Sequence, residues 1–241
     1  MSKISFINGN TLKLLAALFM LIDHIGVVLF PRVAILRYIG RLSFPIFAFM
    51  LSEGTKYTKN KVNHILGVST LALLCQTVYY FYDKSLYMSI LVTFSLSIAI
   101  IYTMQNFKRA LFSDNKGAKI TSLWLFAFTV LISYLFTCFF TVDYGFTGIL
   151  IPVLASVFDF RNTDAPESLK KLDNIPVRVF CLGIGLIINA MAMTSMQYYA
   201  LLSIPVLLLY SGKRGKLNLK YFFYVFYPLH LLAIEGVAML I

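Results

Sequence analysis

Residues 11–30 read TLKLLAALFMLIDHIGVVLF. A run of this length and apolarity is enough to cross a bilayer, which takes roughly 20 residues as a helix. It nevertheless carries Lys13 near one end and an Asp23-His24 pair about two-thirds of the way along. Ionisable groups inside a membrane helix are costly and mark functional sites. Lys13 and His24 stand close to three helical turns apart, so they share one face about 16 Å apart along the axis. One helix thus presents a cation near one surface and an imidazole deep towards the other.

The rest of the chain repeats the apolar pattern. Of its 241 residues, 59% are apolar, 16% aromatic and only 13% charged, with a mean hydropathy of +0.80. A soluble domain needs far more polar side chains to cover its surface. Apolar runs separated by short charged breaks predict an all-α, polytopic membrane bundle forming one domain over 1–241. The spans fall near 11–30, 35–53, 61–82, 86–106, 119–141, 146–158, 177–193, 197–210 and 222–241. Pro31 stops the first. Pro45 should kink the second and free the carbonyl of Arg41. The sequence VDYG at 142–145 is a tight connection, and 159–176 is the longest polar stretch and reads as a linker. The first span resembles a secretory signal, but Asp23-His24 interrupts it and no A-x-A site follows, so it is expected to be retained. Cys75, Cys138 and Cys181 sit in apolar runs without CxxC spacing and read as packing residues.

The net charge of +11 raises the question of a nucleic-acid partner, and topology answers it. With the N-terminus in the cytoplasm, 17 of the 21 Lys and Arg residues fall in inside segments, leaving Arg32, Arg37, Arg41 and Lys84 outside. That bias predicts N-inside, nine spans and C-outside, with no nucleic acid required.

In this frame several ionisable groups share the outer half of the bundle. Asp23 and His24 lie on span one, Arg37 and Arg41 four apart at the start of span two, and Asp143 and Tyr144 between spans five and six. Span nine, YPLHLLAIEG, adds His230 and Glu235 just after Pro228. Adjacent helical residues point about 100° apart, so Asp23 is poorly placed to orient His24. Pairing of Asp23 with Arg37 or Arg41 would fix span one to span two and leave His24 to exchange protons as a general base. The plainer readings are a structural ion pair for Asp23, interfacial anchoring for the arginines, a hydrogen-bonded core role for His230, a simple turn for Tyr144 and charge balance with Lys56 for Glu53. No Walker motif, GxGxxG or HExxH is present, nor a close pair of histidine ligands, so no metal site is expected.

The stretches LKLLAALFMLIDHIG, LRYIGRLSFPIFAFMLSEG, DYGFTGILIPVL and FYVFYPLHLLAI, between residues 12 and 234, resemble the TraX family, named after the F-pilin acetylation protein. The resemblance implies a bacterial plasma-membrane protein that transfers an acetyl group from acetyl-CoA to an acceptor. It extends, more distantly, to acyltransferase family 3 and heparan-glucosaminide N-acetyltransferase. Family 3 has an arginine and a histidine separated by ten residues on the first helix; Lys13 and His24 stand at that spacing here, with lysine departing from the pattern. The combined expectation makes His24, Asp23 and Arg41 catalytic. Arg37, Tyr144, His230 and Glu235 are assigned to the acceptor and to oxyanion stabilisation, and Lys13 and Glu53 to acetyl-CoA. Membrane lipids and a glycan, cell-surface polymer or peptide acceptor are the expected partners. Competing classes are a transporter or flippase for a lipid-linked or small anionic substrate, suited by the proline-broken spans, and a non-catalytic assembly partner.

Overall fold

A computed structural model describes residues 6–240, apart from the side chains of residues 82, 83, 220 and 221. Lys3, one of the 17 inside cations counted above, and the last residue of span nine lie outside them, as does the side chain of Lys220, another of the 17. Among the described residues the chain is all helix, with two isolated bridges and no strand. Six stretches are long and apolar enough to cross a membrane: Gly9–Val28, Ala34–Tyr57, Lys61–Phe81, Ile90–Leu111, Lys116–Phe139 and Ile175–Ala192. The expected spans six, eight and nine fall on shorter apolar helices, Gly145–Leu154, Ser195–Leu208 and Phe222–Ala238.

Local chemistry sets the helix ends. Helix α1 (Gly9–Val28) is capped by Asn8, whose side chain accepts from Thr11 N; α4 (Lys61–Asp83) and α6 (Lys116–Phe139) are capped in the same way by Asn60 and Asn115. An asparagine oxygen at this position satisfies one of the orphan amides of the first turn. The second stretch is not one kinked helix. It is α2 (Ala34–Gly40) and α3 (Ser43–Tyr57), broken at Arg41-Leu42. Pro45 therefore sits in the first turn of α3, where its missing N–H costs nothing, instead of bending a helix interior.

The chain forms two compact units, residues 1–50 with 190–241, and residues 51–189. In the first, α1 packs on α2, and Ser43 Oγ donates to the carbonyl of Ala16 at 2.8 Å. The small, buried Ala16 and Ala17 let the elements approach closely. The start of α1 is stitched to a distant segment: Gly9 N and Asn10 N donate to the carbonyls of Lys213 and Arg214, and Asn10 Nδ2 to Leu217 O. Gly215 (φ +92°) makes this possible, because a Cβ there would run into Asn8 and Asn10. Downstream lie a 3-10 helix (Ser195–Leu202), α10 (Ser203–Leu208) and α11 (Lys220–Ala238). A 3-10 turn rises ~2.0 Å per residue against ~1.5 Å for α, so residues 195–208 extend about 25 Å despite their number.

In the second unit α5 (Ile90–Leu111) is central and half buried, whereas few residues of α4 and α6 are buried. Uncovered apolar helices of this length belong against lipid. Ile100, Ile101 and Met104 of α5 form a core with Ile149 and Val153 of α7 (Gly145–Leu154). Ser97 Oγ joins the same two helices by donating to Ile149 O at 2.8 Å. Short α8 (Glu167–Lys170) and α9 (Ile175–Ala192) complete the unit. The polar stretch 159–176 is not a loose linker. Asp173 pairs with Lys56 at 2.5 Å, Asp159 accepts from Gln105, and Arg161 bonds Tyr57.

Candidate active site

In the first unit five of the expected residues meet. Asp23 pairs with Arg37 at 2.6 Å and with Arg41 at 3.7 Å. These side chains are mostly buried, so the pairs are desolvated more than surface ion pairs are and fix α1 against α2. Gly40 completes the fit: a Cβ there would fall inside the carboxylate and Cβ of Asp23. His24, the next residue on α1, points about 100° away from Asp23.

His24 meets His230. Their rings lie 5.0 Å apart, edge to face, although the residues come from α1 and α11. Each ring uses Nδ1 in the same way. His24 Nδ1 lies 2.8 Å from the carbonyl of Met20, and His230 Nδ1 2.9 Å from that of Phe226. A carbonyl only accepts, so both Nδ1 atoms carry hydrogen. In the neutral ring the lone pair is then on Nε2. His230 is buried, its Nε2 lacks a hydrogen-bond partner among the described residues, and its ring stacks on Phe226 at 5.0 Å. His24 is only half buried. A buried, unsatisfied ring nitrogen calls for a polar partner.

The other expected residues are placed differently. Lys13 is half buried on α1, three turns before His24. Glu235 lies half buried on α11, about 7.5 Å of helical rise beyond His230. Tyr144 and Glu53 belong to the other unit. Tyr144 takes a left-handed conformation (φ 61°) at the start of α7, and its carbonyl accepts from Asn189 Nδ2 at 3.1 Å. Nearby, Tyr87 donates to the Asp143 carboxylate at 3.0 Å. Glu53 does not balance Lys56. Arg178 holds it in a buried ion pair, while also donating to Ser52 Oγ and to the carbonyl of Ala155. Lys108 donates to the next carbonyl, Ser156 O, at 2.8 Å. Two cations thus satisfy the carbonyl-rich end of α7, where the helix dipole favours positive charge.

Charge counting missed this second cluster. Arg178 and Lys108 looked like inside-loop cations, yet Arg178 is 2% exposed and Lys108 7%. The signal available was position: Arg178 falls in the first turn of an apolar span and Lys108 in the last turn of another, next to the buried polar Ser52, Gln105 and Ser156.

Among the described residues the protein is all helical, six of its stretches are long and apolar enough to cross a membrane, and its first unit holds two imidazoles beside an Asp-Arg clamp, which defines a helical protein of the membrane class with a polar cluster. Its TraX protein family profile matches residues 8–238, and the chain belongs to the TraX family. It is 24% identical over 244 aligned positions, 91% of each chain, to a probable fimbrial assembly protein, FimC, of Dichelobacter nodosus. It is also 27% identical over 157 residues to an uncharacterized protein of Rickettsia prowazekii, an alignment covering 64% of this chain and 57% of the relative. This chain thus spans little more than half of the rickettsial relative. No solved structure gives a significant match.

Proposed function

We propose that the protein is a membrane-embedded acetyltransferase that moves an acetyl group from cytoplasmic acetyl-CoA to a hydroxyl or amine of an acceptor. The acceptor is a glycan, a cell-surface polymer or a peptide such as a pilin, presented at the outer half of a bacterial cell membrane. The observation that carries the reading is the His24–His230 pair, in which both Nδ1 atoms are committed to carbonyls and both Nε2 atoms are left for chemistry. The family's association with pilin modification and the fimbrial name of the Dichelobacter relative support it.

In this mechanism His24 Nε2 takes the proton of the acceptor hydroxyl or amine as that nucleophile attacks the thioester carbonyl carbon. Arg41 and Arg37 stabilise the oxyanion that forms, and His230, whose Nε2 can only accept in the neutral ring, helps orient the acceptor. The carbon–sulfur bond then breaks, the imidazolium returns its proton to the departing thiolate, and acetylated acceptor and free CoA leave. The proposal includes the nine-span, N-inside, C-outside topology, which puts Lys13 at the cytoplasmic end of α1 and His24 within reach of the pantetheine arm.

The test is transfer of labelled acetyl-CoA to membrane-derived acceptor, and hydrolysis of the thioester, by the purified full chain in detergent. Loss of a general base costs ~10²–10⁴-fold, so His24→Ala should lose at least ~10²-fold while keeping the thermal stability of the wild type. A His24→Ala variant that turns over normally removes His24 from the mechanism.

A further inference from the structure

The second unit contains a cavity that neither the sequence pattern nor the proposed catalytic groups account for. Its volume is about 510 Å³, within the ~300–1,000 Å³ of small-molecule sites. Lys56, Lys59, Lys61, Arg109 and Arg161 line it together with Tyr57, and no carboxylate does.

Nearby acidic groups neutralise few of these cations. Asp173 is spent on Lys56 at 2.5 Å. Asp159 is occupied by Gln105 Nε2 at 3.1 Å and by the amide of Arg161 at 3.3 Å. Asp159 still attracts Lys61 and Arg161, but two carboxylates against the five lining cations leave an excess of positive charge at the cavity. Lys61 shows the strain most plainly. Its ammonium is buried with no hydrogen-bond acceptor among the described residues and rests 4.9 Å from the Tyr102 ring. A buried ammonium without an acceptor is expensive unless an anion completes it. Arg161 Cζ lies 4.2 Å from the centre of the Tyr57 ring, and its Nη2 donates to the Tyr57 hydroxyl. That contact sets an aromatic ring beside the cluster of charge.

We infer that this cavity binds a nucleotide polyphosphate, here the phosphorylated ADP portion of acetyl-CoA, with the phosphates among Lys59, Lys61, Arg109 and Arg161. The identity of the nucleotide rests on the acetyltransferase reading above; the cavity's preference for clustered phosphate does not. A phosphomonoester carries ~−1.5 to −2 near neutrality, and a diphosphate bridge adds to it, matching four cations better than the single phosphodiester of most lipid headgroups. The cations come from segments 56–61, 108–119 and 161–178, all of which the charge bias assigns to the cytoplasmic side.

The experiment measures CoA binding by calorimetry to the purified full chain in micelles of uncharged detergent. Lys59→Gln, Arg109→Gln and Arg161→Gln change exposed side chains; the first two should leave thermal unfolding unchanged, and the third, which gives up the bond to Tyr57, should still fold. Each should weaken CoA binding about ten- to hundred-fold, the range of a lost charge-assisted hydrogen bond, and added salt should weaken wild-type binding. Acetyl-pantetheine, which lacks the nucleotide, should not distinguish the variants. CoA binding that is indifferent to all three substitutions overturns the cavity assignment and leaves the acetyl-CoA reading standing. ATP binding that responds to them, with no binding of CoA, supports the cavity and removes acetyl-CoA as its ligand. If no nucleotide binds, or only anionic phospholipid in nanodiscs responds to the variants, the inference fails and the cations belong to headgroups.

Discussion

Gly40→Ala adds a single methyl where Asp23 already stands. The new Cβ would overlap the carboxylate and the Cβ of Asp23, so a rotamer change cannot relieve it. Either Asp23 leaves Arg37 or α1 moves off α2. Losing the 2.6 Å Asp23–Arg37 contact costs ~1.5–3 kcal/mol as a hydrogen bond between charged groups, and overpacking adds ~1–3 kcal/mol. The better helix propensity of alanine returns at most ~1 kcal/mol. The net is a loss of about 1.5–6 kcal/mol, at roughly 2–4 °C in Tm per kcal/mol for a chain of this size. Gly236→Ala is the control, because it lies in α11 of the same unit with nothing within 4 Å of its added Cβ, and it should be neutral or slightly stabilising. The assay is thermal unfolding of both variants in one detergent, alongside acetyl transfer. Because His24 adjoins Asp23, a displacement near 1 Å should also lower turnover by ~10²-fold. If Gly40→Ala melts with Gly236→Ala and reacts like the wild type, Asp23 is not clamped between the two helices as described.

Two further outcomes follow from the other contacts. Arg178→Met leaves the Glu53 carboxylate buried without its cation and should destabilise by about 3–5 kcal/mol in denaturant titration, whereas Arg178→Met with Glu53→Leu should recover most of that, as apolar replacements of buried pairs do; a double variant no better than the single refutes the pairing energetics. Gly215→Ala strains a left-handed backbone and intrudes on Asn8 and Asn10, so amide exchange in the first turn of α1 should speed up while α5 is unaffected; unchanged protection there would show that the 213–217 stitch does not cap α1.

Much of the first unit could be read before any coordinates, because its information is local. The apolar run at 11–30 locates α1 to within two residues at each end, and the earlier start follows from Asn8 being the cap. The arginines four apart on the next span announced a partner for Asp23, and the ion pairs are there. The meeting of His24 with His230 was a matter of shared depth only, since packing alone turns two helices so that their rings touch. Other features depend on groups far apart in sequence. Arg178 and Lys108 read as surface charge until the carbonyls of Ala155 and Ser156 drew them inside. The segment 159–176 looked like a tether because its polarity is local, while the ties that hold it come from Lys56, Tyr57 and Gln105. The break at Arg41-Leu42 went unseen because proline rules tell where a helix suffers, and the chain resolved the conflict by starting a new helix just before Pro45.

The unit that holds both imidazoles is sewn from the two extremes of the polypeptide, residues 1–50 and 190–241. During synthesis the opening helix must wait in the bilayer, its first amides without their final acceptors, until the segment around Lys213 has left the ribosome. His24 gains its companion later still, when α11 follows. The two imidazoles therefore meet only after the 140 or so residues between the two pieces have been made, and a nascent chain stalled within them holds His24 without its companion ring.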